Sequence, residues 1–156
     1  RKPRNEGTVE VINSQYVRNM RKVTDLENVI SSWKISGHIP KNYDERARSK
    51  YHLKARRLLK DKFPTCQILE EVPVKVRRGQ VLYLDFYIPL HDLCVEVHGE
   101  QHYKFVKFYH KTMLGFAQAR KRDMEKIEWC QVNDITIVEL PFNESEDEWK
   151  KRIEDR

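Results

Sequence analysis

The amino-acid sequence predicts an α/β (α+β) domain on a mixed sheet: a helix, three antiparallel strands in a meander, a second helix, a short strand and a closing helix. Three observations carry this expectation. A basic helical stripe runs from about Asp44 to Lys62. After Gln67, strand-like runs are joined by the turn Arg77-Arg78-Gly79. The short apolar run Ile135 to Leu140 then follows a long helical segment.

Taken in order, residues 1 to 43 are a polar, basic start with a helix expected around Asp25 to Trp33. There Leu26, Val29, Ile30 and Trp33 recur at helical spacing, and Gly37 and Pro40 end the segment. In the next helix Ala47, Tyr51, Ala55, Leu58 and Leu59 form one apolar stripe among Arg46, Arg48, Lys50, Lys54, Arg56, Arg57 and Lys60, and Pro64 closes it. Gln67 to Val76, Val81 to Ile88 and Leu93 to His98 read as the meander. Thr112 to about Val132 returns to helical spacing through Phe116, Ala119, Met124, Ile127 and Cys130. Asn133-Asp134 and Pro141 bound the last strand. Ser145 then precedes acidic and later basic residues, the order a helix dipole favours. The expected organisation is an N-terminal helical extension over 1 to 43, a core over 44 to 142 and a C-terminal helix over 143 to 156.

A chain of 156 residues holds one core, and 39% hydrophobic with 35% charged residues describes a folded domain with a charged surface. A formal charge of +6 favours polyanionic partners such as nucleic acid. The widely spaced Cys66, Cys94 and Cys130 suggest neither a disulfide framework nor a zinc site and read as small buried apolar residues in a reducing compartment. No apolar run of membrane-spanning length and no signal peptide is evident, so an intracellular, cytoplasmic protein is expected. Beginning at Arg1 rather than Met, the chain leaves room for a missing specificity domain, and the extra N-terminal zone could supply a homodimer contact.

The chemistry lies on the second and third meander strands. In Val81 to Ile88, alternation places Leu82, Leu84, Phe86 and Ile88 on one face and Val81, Tyr83, Asp85 and Tyr87 on the other. In Leu93 to His98, Cys94, Glu96 and His98 oppose Leu93, Val95 and Val97. Carboxylates inside a sheet are costly unless paired or holding a metal, so Asp85 and Glu96 on adjacent strands call for a shared cation. Magnesium suits such hard oxygen ligands, with manganese as a substitute and the Val97 carbonyl as a further ligand. His98 projects to the carboxylate face, and Gly99-Glu100-Gln101-His102-Tyr103 brings more polar groups beside it. By periodicity alone, the carboxylates are equally a pair neutralised by Arg or Lys.

The arrangement Leu84-Asp85-Phe86, a turn, then Cys94-Val95-Glu96-Val97-His98 resembles the D…(D/E)xK signature of the restriction-endonuclease-like, PD-(D/E)XK nuclease superfamily, with His98 where the lysine would stand. The string from Asp85 to Pro89, through Glu96 to Tyr103, then Arg122 to Lys126, Trp129-Cys130 and Asn133-Asp134-Ile135, is similar to very-short-patch-repair-like and phage homing endonuclease domains. The resemblance covers about residues 46 to 142 and leaves residues 1 to 43 without a counterpart. It implies a restriction-endonuclease-like core and magnesium-dependent cleavage or nicking of DNA. Asp85 and Glu96 would be the metal ligands and His98 a general base or phosphate contact. A histidine follows the metal-binding aspartate of the repair enzymes at the spacing between Asp85 and His98. Two departures stand out: His52 occupies the position of an acidic residue on the first core helix, and related domains often carry Asp where His98 stands.

Gln101, a candidate for positioning water or simply for supporting the turn, and His102 complete the catalytic set. For His98 and His102 a satisfied, partly exposed histidine is the plainer role, and flanking the carboxylates favours a functional role for His98 more than for His102. Asp123 and Lys126 share a helix face that leans toward the active site in similar domains; a surface ion pair is the plainer role. Arg46, Lys50, Lys54, Arg57 and Lys104 are candidate phosphate contacts, the helix cations being otherwise a solvated face. Tyr103, Phe105, Phe108 and Tyr109 read as core somewhat more than as base-stacking residues. The rival to an endonuclease is a catalytically inactive module of the same fold that binds nucleic acid or a protein partner. Hydrolysis of a backbone by a metal does not itself distinguish the sugars, so RNA stays open as a substrate.

Overall fold

A computed structural model of the chain describes residues 8–10, 20–40 and 48–154. Its core is a mixed sheet of six strands in the order β1-β4-β5-β6-β7-β8. These are β1 (Thr8–Glu10), β4 (Ser36–His38), β5 (Leu69–Arg77), β6 (Gln80–Ile88), β7 (Leu93–His98) and β8 (Thr136–Pro141). β5, β6 and β7 run antiparallel in sequence, as the meander requires, and β8 joins β7 in parallel after a helical crossover.

Helix α1 (Lys50–Lys62) begins where Ser49 accepts a hydrogen bond from the His52 backbone N–H at 3.0 Å, and it ends at Phe63, just before Pro64. Its Ala55, Leu58 and Leu59 pack on one sheet face with Phe86, Ile88, Leu93, Val95 and Leu140. α4 (Glu146–Glu154) adds Trp149 and Ile153 to that cluster. Ser145 and Glu148 exchange the reciprocal hydrogen bonds of a capping box at its start. The crossover between β7 and β8 contains the short α2 (Lys107–His110) and the long α3 (Met113–Val132). α3 places Trp129 and Cys130 in the opposite cluster, with Leu69, Val72, Val74, Leu82, Leu84, Tyr87 and Cys94. The sheet is therefore covered on both faces, α1 and α4 on one side and α3 on the other.

The N-terminal segment corrects the expectation of a helix around Asp25 to Trp33. It is a hairpin of β2 (Met20–Thr24) and β3 (Ile30–Lys34), paired Met20 to Lys34 through Thr24 to Ile30. Asp25 Oδ1 accepts the N–H groups of Glu27 at 2.8 Å and Val29 at 2.9 Å, and Asn28 takes a left-handed φ of 64°, so the side chain organises a turn where a helix was expected. Val29 and Ile30, counted into the helical stripe, are exposed. Trp33 docks the hairpin: it meets Trp129 edge-on at 5.1 Å and donates from Nε1 to the Pro73 carbonyl at 3.1 Å. Asn133 holds the other end, with Oδ1 accepting from Thr24 N at 2.8 Å and Nδ2 donating to the Thr24 and Trp129 carbonyls, each at 2.9 Å.

Gly37, expected as a terminator, lies in β4. A Cβ there would come within 2.9 Å of Leu69 Cβ, so glycine lets β4 approach β5. At the β5–β6 turn Gly79 has φ 78°, the left-handed value the reversal needs.

Strict alternation along β6 also fails. Leu82 and Leu84 share a cluster with Tyr87, whereas Phe86 and Ile88 belong to the other. The slip falls at Asp85, opposite Glu71, which has a left-handed φ of 53°. The paired residues continue in register on either side, Glu70 with Phe86 and Val72 with Leu84. The sheet is irregular at the carboxylate that sequence pattern singles out.

Candidate active site

β6 and β7 pair only from Phe86–Val95 to Ile88–Leu93. One residue further along, Asp85 and Glu96 replace ladder bonds with side-chain ones. The Asp85 N–H donates to Glu96 Oε2 at 2.6 Å, and the Val97 N–H donates to Asp85 Oδ2 at 2.8 Å. The strand separation that frees these two N–H groups is thus satisfied by the two carboxylates. Lys126, one turn after Asp123 on α3, sets its ammonium 2.9 Å from Glu96 Oε1. Asp123 and Lys126 do not form the surface pair their spacing allows; each serves a different group.

Glu96 is 3% exposed. Burial, then the charge of Asp85, pushes its carboxyl up to about 8, against the opposing pull of Lys126. Desolvation works against the Lys126 ammonium, but Glu96 and Asp85 outweigh it and hold the lysine above its ordinary value. Cys94, buried on the same strand face, has its thiol pushed far up by burial. Cys130 is also buried and Cys66 half-buried.

Beside this pair, His98 closes β7 and His102 lies in the 3-10 turn that follows. Their rings stack 4.5 Å apart and 10° from parallel. His102 Nδ1 meets Asp123 Oδ2 at 2.7 Å, and His98 Nδ1 lies 3.3 Å from Glu139 Oε2 on β8. Burial, then the neighbouring His102, lowers His98 to about 4. Burial raises Asp123, but the hydrogen bond and charge of His102 prevail and leave it below the ordinary carboxylate value. The Gln101 side chain lies over Gly99: a Cβ there would meet its Oε1 at 2.6 Å.

His52 lies elsewhere. It stacks on Phe86 at 4.5 Å and meets Glu70 Oε1 at 2.7 Å, on the α1 face of the sheet. Arg56 adds bonds of 2.8 and 3.0 Å to the same carboxylate. This second buried carboxylate was not singled out from sequence, because its partners come from a helix that no local pattern aligns with Glu70.

The basic candidates do not converge on the site. Arg46 lies outside the described residues. Lys50, Lys54 and Arg57 sit on α1, across the sheet from α3, with the Lys54 ammonium 4.2 Å over the Trp149 ring. Lys104 pairs with Glu100 at 2.6 Å in the turn below His102. The crossover on the site's side instead exposes Lys107, Lys111, Arg120, Lys121 and Arg122, which sequence reasoning passed over as binding residues. Tyr103 and Tyr109 are exposed rather than core, and Phe105 is half-buried.

Of the four oxygens of this carboxylate pair, Glu96 Oε1 and Oε2 and Asp85 Oδ2 accept hydrogen bonds, and among the described residues none reaches Asp85 Oδ1. Glu139, in register with Glu96, is a further acid that sequence did not single out.

Three uncharacterized viral proteins are similar to part of the chain. Protein 307L of Invertebrate iridescent virus 6 is 39% identical over 61 residues, 39% of this chain and 31% of that protein. Protein 033L of Invertebrate iridescent virus 3 is 33% identical over 64 residues, 41% and 33% of the two chains. Protein 094L of Frog virus 3 is 32% identical over 65 residues, 41% and 42% of the two chains. The chain thus spans less than half the length of the curated relatives it matches. No family model and no solved structure matches the chain. Among the described residues no helix is long and apolar enough to cross a membrane.

Proposed function

We propose that this chain is a metal-dependent endonuclease that hydrolyses or nicks DNA phosphodiester bonds, with a PD-(D/E)XK-like site at Asp85, Glu96 and Lys126. One observation carries the reading: two carboxylates on adjacent strands meet at a break in their ladder, with a single ammonium on Glu96. Burial and the charge of Asp85 push the Glu96 carboxyl up to about 8, and a divalent ion that displaces its proton would let both carboxylates ionise.

The sequence pattern places His98 where the family's lysine stands. Lys126 brings an ammonium to the same carboxylate from α3, which supports a site of the same composition assembled from a different element. Asp85 and Glu96 would hold magnesium or manganese, whose chemistry there is to polarise a phosphoryl oxygen and acidify a bound water. Lys126 offers charge and an N–H donor to a phosphate oxygen. His98, neutral at physiological pH, can accept a proton from water or contact phosphate. The exposed cations along the α2–α3 crossover would follow the backbone of the substrate.

One observation favours the inactive-module reading: both Glu96 oxygens already accept hydrogen bonds from the chain's own groups. Cleavage of supercoiled plasmid with magnesium, manganese or EDTA, run beside Asp85→Asn, separates the two. The nuclease reading expects nicked or linear product that requires both metal and Asp85. Intact plasmid under every divalent ion, with a retained and salt-sensitive gel shift, would replace it with the binding module.

A further inference from the structure

We infer that His98, His102 and Asp123 form a binding site for one divalent transition ion of the zinc class, separate from the Asp85–Glu96 pair. One donor atom from each of the three residues can be chosen so that all lie within 4.8 Å of one another. The residues come from three elements, the end of β7, the 3-10 turn after it and the middle of α3, so a side-chain site is built across the fold rather than along one helix.

His98 supplies the second observation. It is 5% exposed, yet its polar contacts are long: 3.3 Å to Glu139 Oε2 and 3.5 Å to the Tyr103 hydroxyl. Both contacts fall on Nδ1, and among the described residues no hydrogen bond reaches Nε2. A buried imidazole with one nitrogen turned to a carboxylate and the other open is the arrangement of a metal-ligating histidine, in which the carboxylate fixes ring orientation and tautomer. Glu139 takes that orienting role here.

Tetrahedral zinc with bonds of about 2.1 Å places its donors about 3.4 Å apart. His102 Nδ1 and Asp123 Oδ2, at 2.7 Å, would open slightly. Because rings 10° from parallel do not both aim an in-plane nitrogen at one ion, the more exposed His102 ring would turn out of its stack on His98 as the ion binds. Two imidazole nitrogens and one carboxylate suit zinc and its neighbours, whereas magnesium prefers an all-oxygen shell. The side chains of His102 and Asp123 remain 25% and 17% exposed, which leaves a fourth position open toward solvent. Occupancy would remove His98 from the general-base role, but the site itself does not depend on hydrolysis.

The test is titration of the metal-free full chain with zinc by calorimetry, and with cobalt by its visible absorption, which reports tetrahedral coordination. Asp85→Asn, which lacks the other carboxylate site, is expected to bind one equivalent, and wild type to hold that same equivalent with like affinity. His102→Ala and Asp123→Asn should lose that equivalent while unfolding normally in urea, and Glu139→Gln should weaken it by about 10- to 100-fold. No zinc bound by wild type, or the same equivalent retained in His102→Ala and Asp123→Asn, overturns the inference. If a ligand variant fails to fold, Glu139→Gln decides: weakened binding supports the site and unchanged binding overturns it. Because Asp85→Asn is expected to lose cleavage but keep zinc, failure of this site and failure of the nuclease reading are distinguishable.

Discussion

The sheet carries a buried carboxylate centre on each face. On the α1 face, Glu70 is 1% exposed and receives His52 at 2.7 Å and Arg56 at 2.8 and 3.0 Å. Burial raises its pKa, but these hydrogen bonds and charges outweigh burial and leave it below the ordinary value. On the α3 face, Glu96 is nearly as buried but shares one lysine with Asp85 and is pushed up to about 8. Burial alone therefore does not mark a site for chemistry. The balance of charge around the carboxylate differs: Glu70 has Arg56 and His52 and is held ionised, whereas Glu96 has one lysine and a second carboxylate and holds its proton more tightly.

The contrast can be broken first at Glu70. Glu70→Ala removes the buried carboxylate that His52 and Arg56 share and should cost about 3–5 kcal/mol in urea unfolding. A cost below about 1 kcal/mol would show that the α1 face does not rely on this cluster.

The pH dependence sharpens it next. The folded state holds the Glu96 proton more tightly than the unfolded chain does, which lowers stability as pH rises from about 4.5 to about 8. His98, lowered to about 4, has the opposite sign and offsets this up to about 6.5. The net fall in metal-free stability should therefore show above about 6.5, by at most about 1.4 kcal/mol per unit. Glu70 has the opposite sign: its contribution is present above the unfolded value and is lost as pH falls through its lowered folded value. Urea unfolding in EDTA across this range should show the upper slope in wild type and not in Glu96→Gln. A slope that survives Glu96→Gln would assign it to another group.

Two smaller effects test the frame that holds the faces apart. Asn133→Ala removes the clamp on Thr24 and should cost about 1–3 kcal/mol, with Trp33 fluorescence reporting release of the hairpin. Ser145→Ala breaks the capping box of α4 and should cost about 1 kcal/mol, with no effect on either carboxylate centre.

How legible these features were in sequence follows from how local their causes are. The alternation of β7, the stripe of α1 and the Ser145 start of α4 are short-range patterns, and each became the expected element. β6 is a strand as expected, but its alternation slips at Asp85 opposite the left-handed Glu71, which no local pattern shows. The N-terminal hairpin hid because Leu26, Val29, Ile30 and Trp33 imitate helical spacing, while the Asp25 turn and the docking of Trp33 on Trp129 decide the outcome. Asp85 and Glu96 were visible as charges interrupting apolar strands. Lys126 was visible only as a helix neighbour of Asp123, since its reach to Glu96 spans thirty residues. Glu70 and Glu139 needed the sheet order and helix placement, which no window of sequence contains.

The most direct test of the central claim is the unfolding free energy of wild type and Asp85→Asn in magnesium and in EDTA. A cation held at Asp85 and Glu96 should stabilise wild type by about 2.7 kcal/mol when magnesium is one hundred times its dissociation constant, and should leave Asp85→Asn unchanged. Equal stabilisation of the two proteins, or none in wild type, would contradict the assignment of the α3-face carboxylates as the metal site.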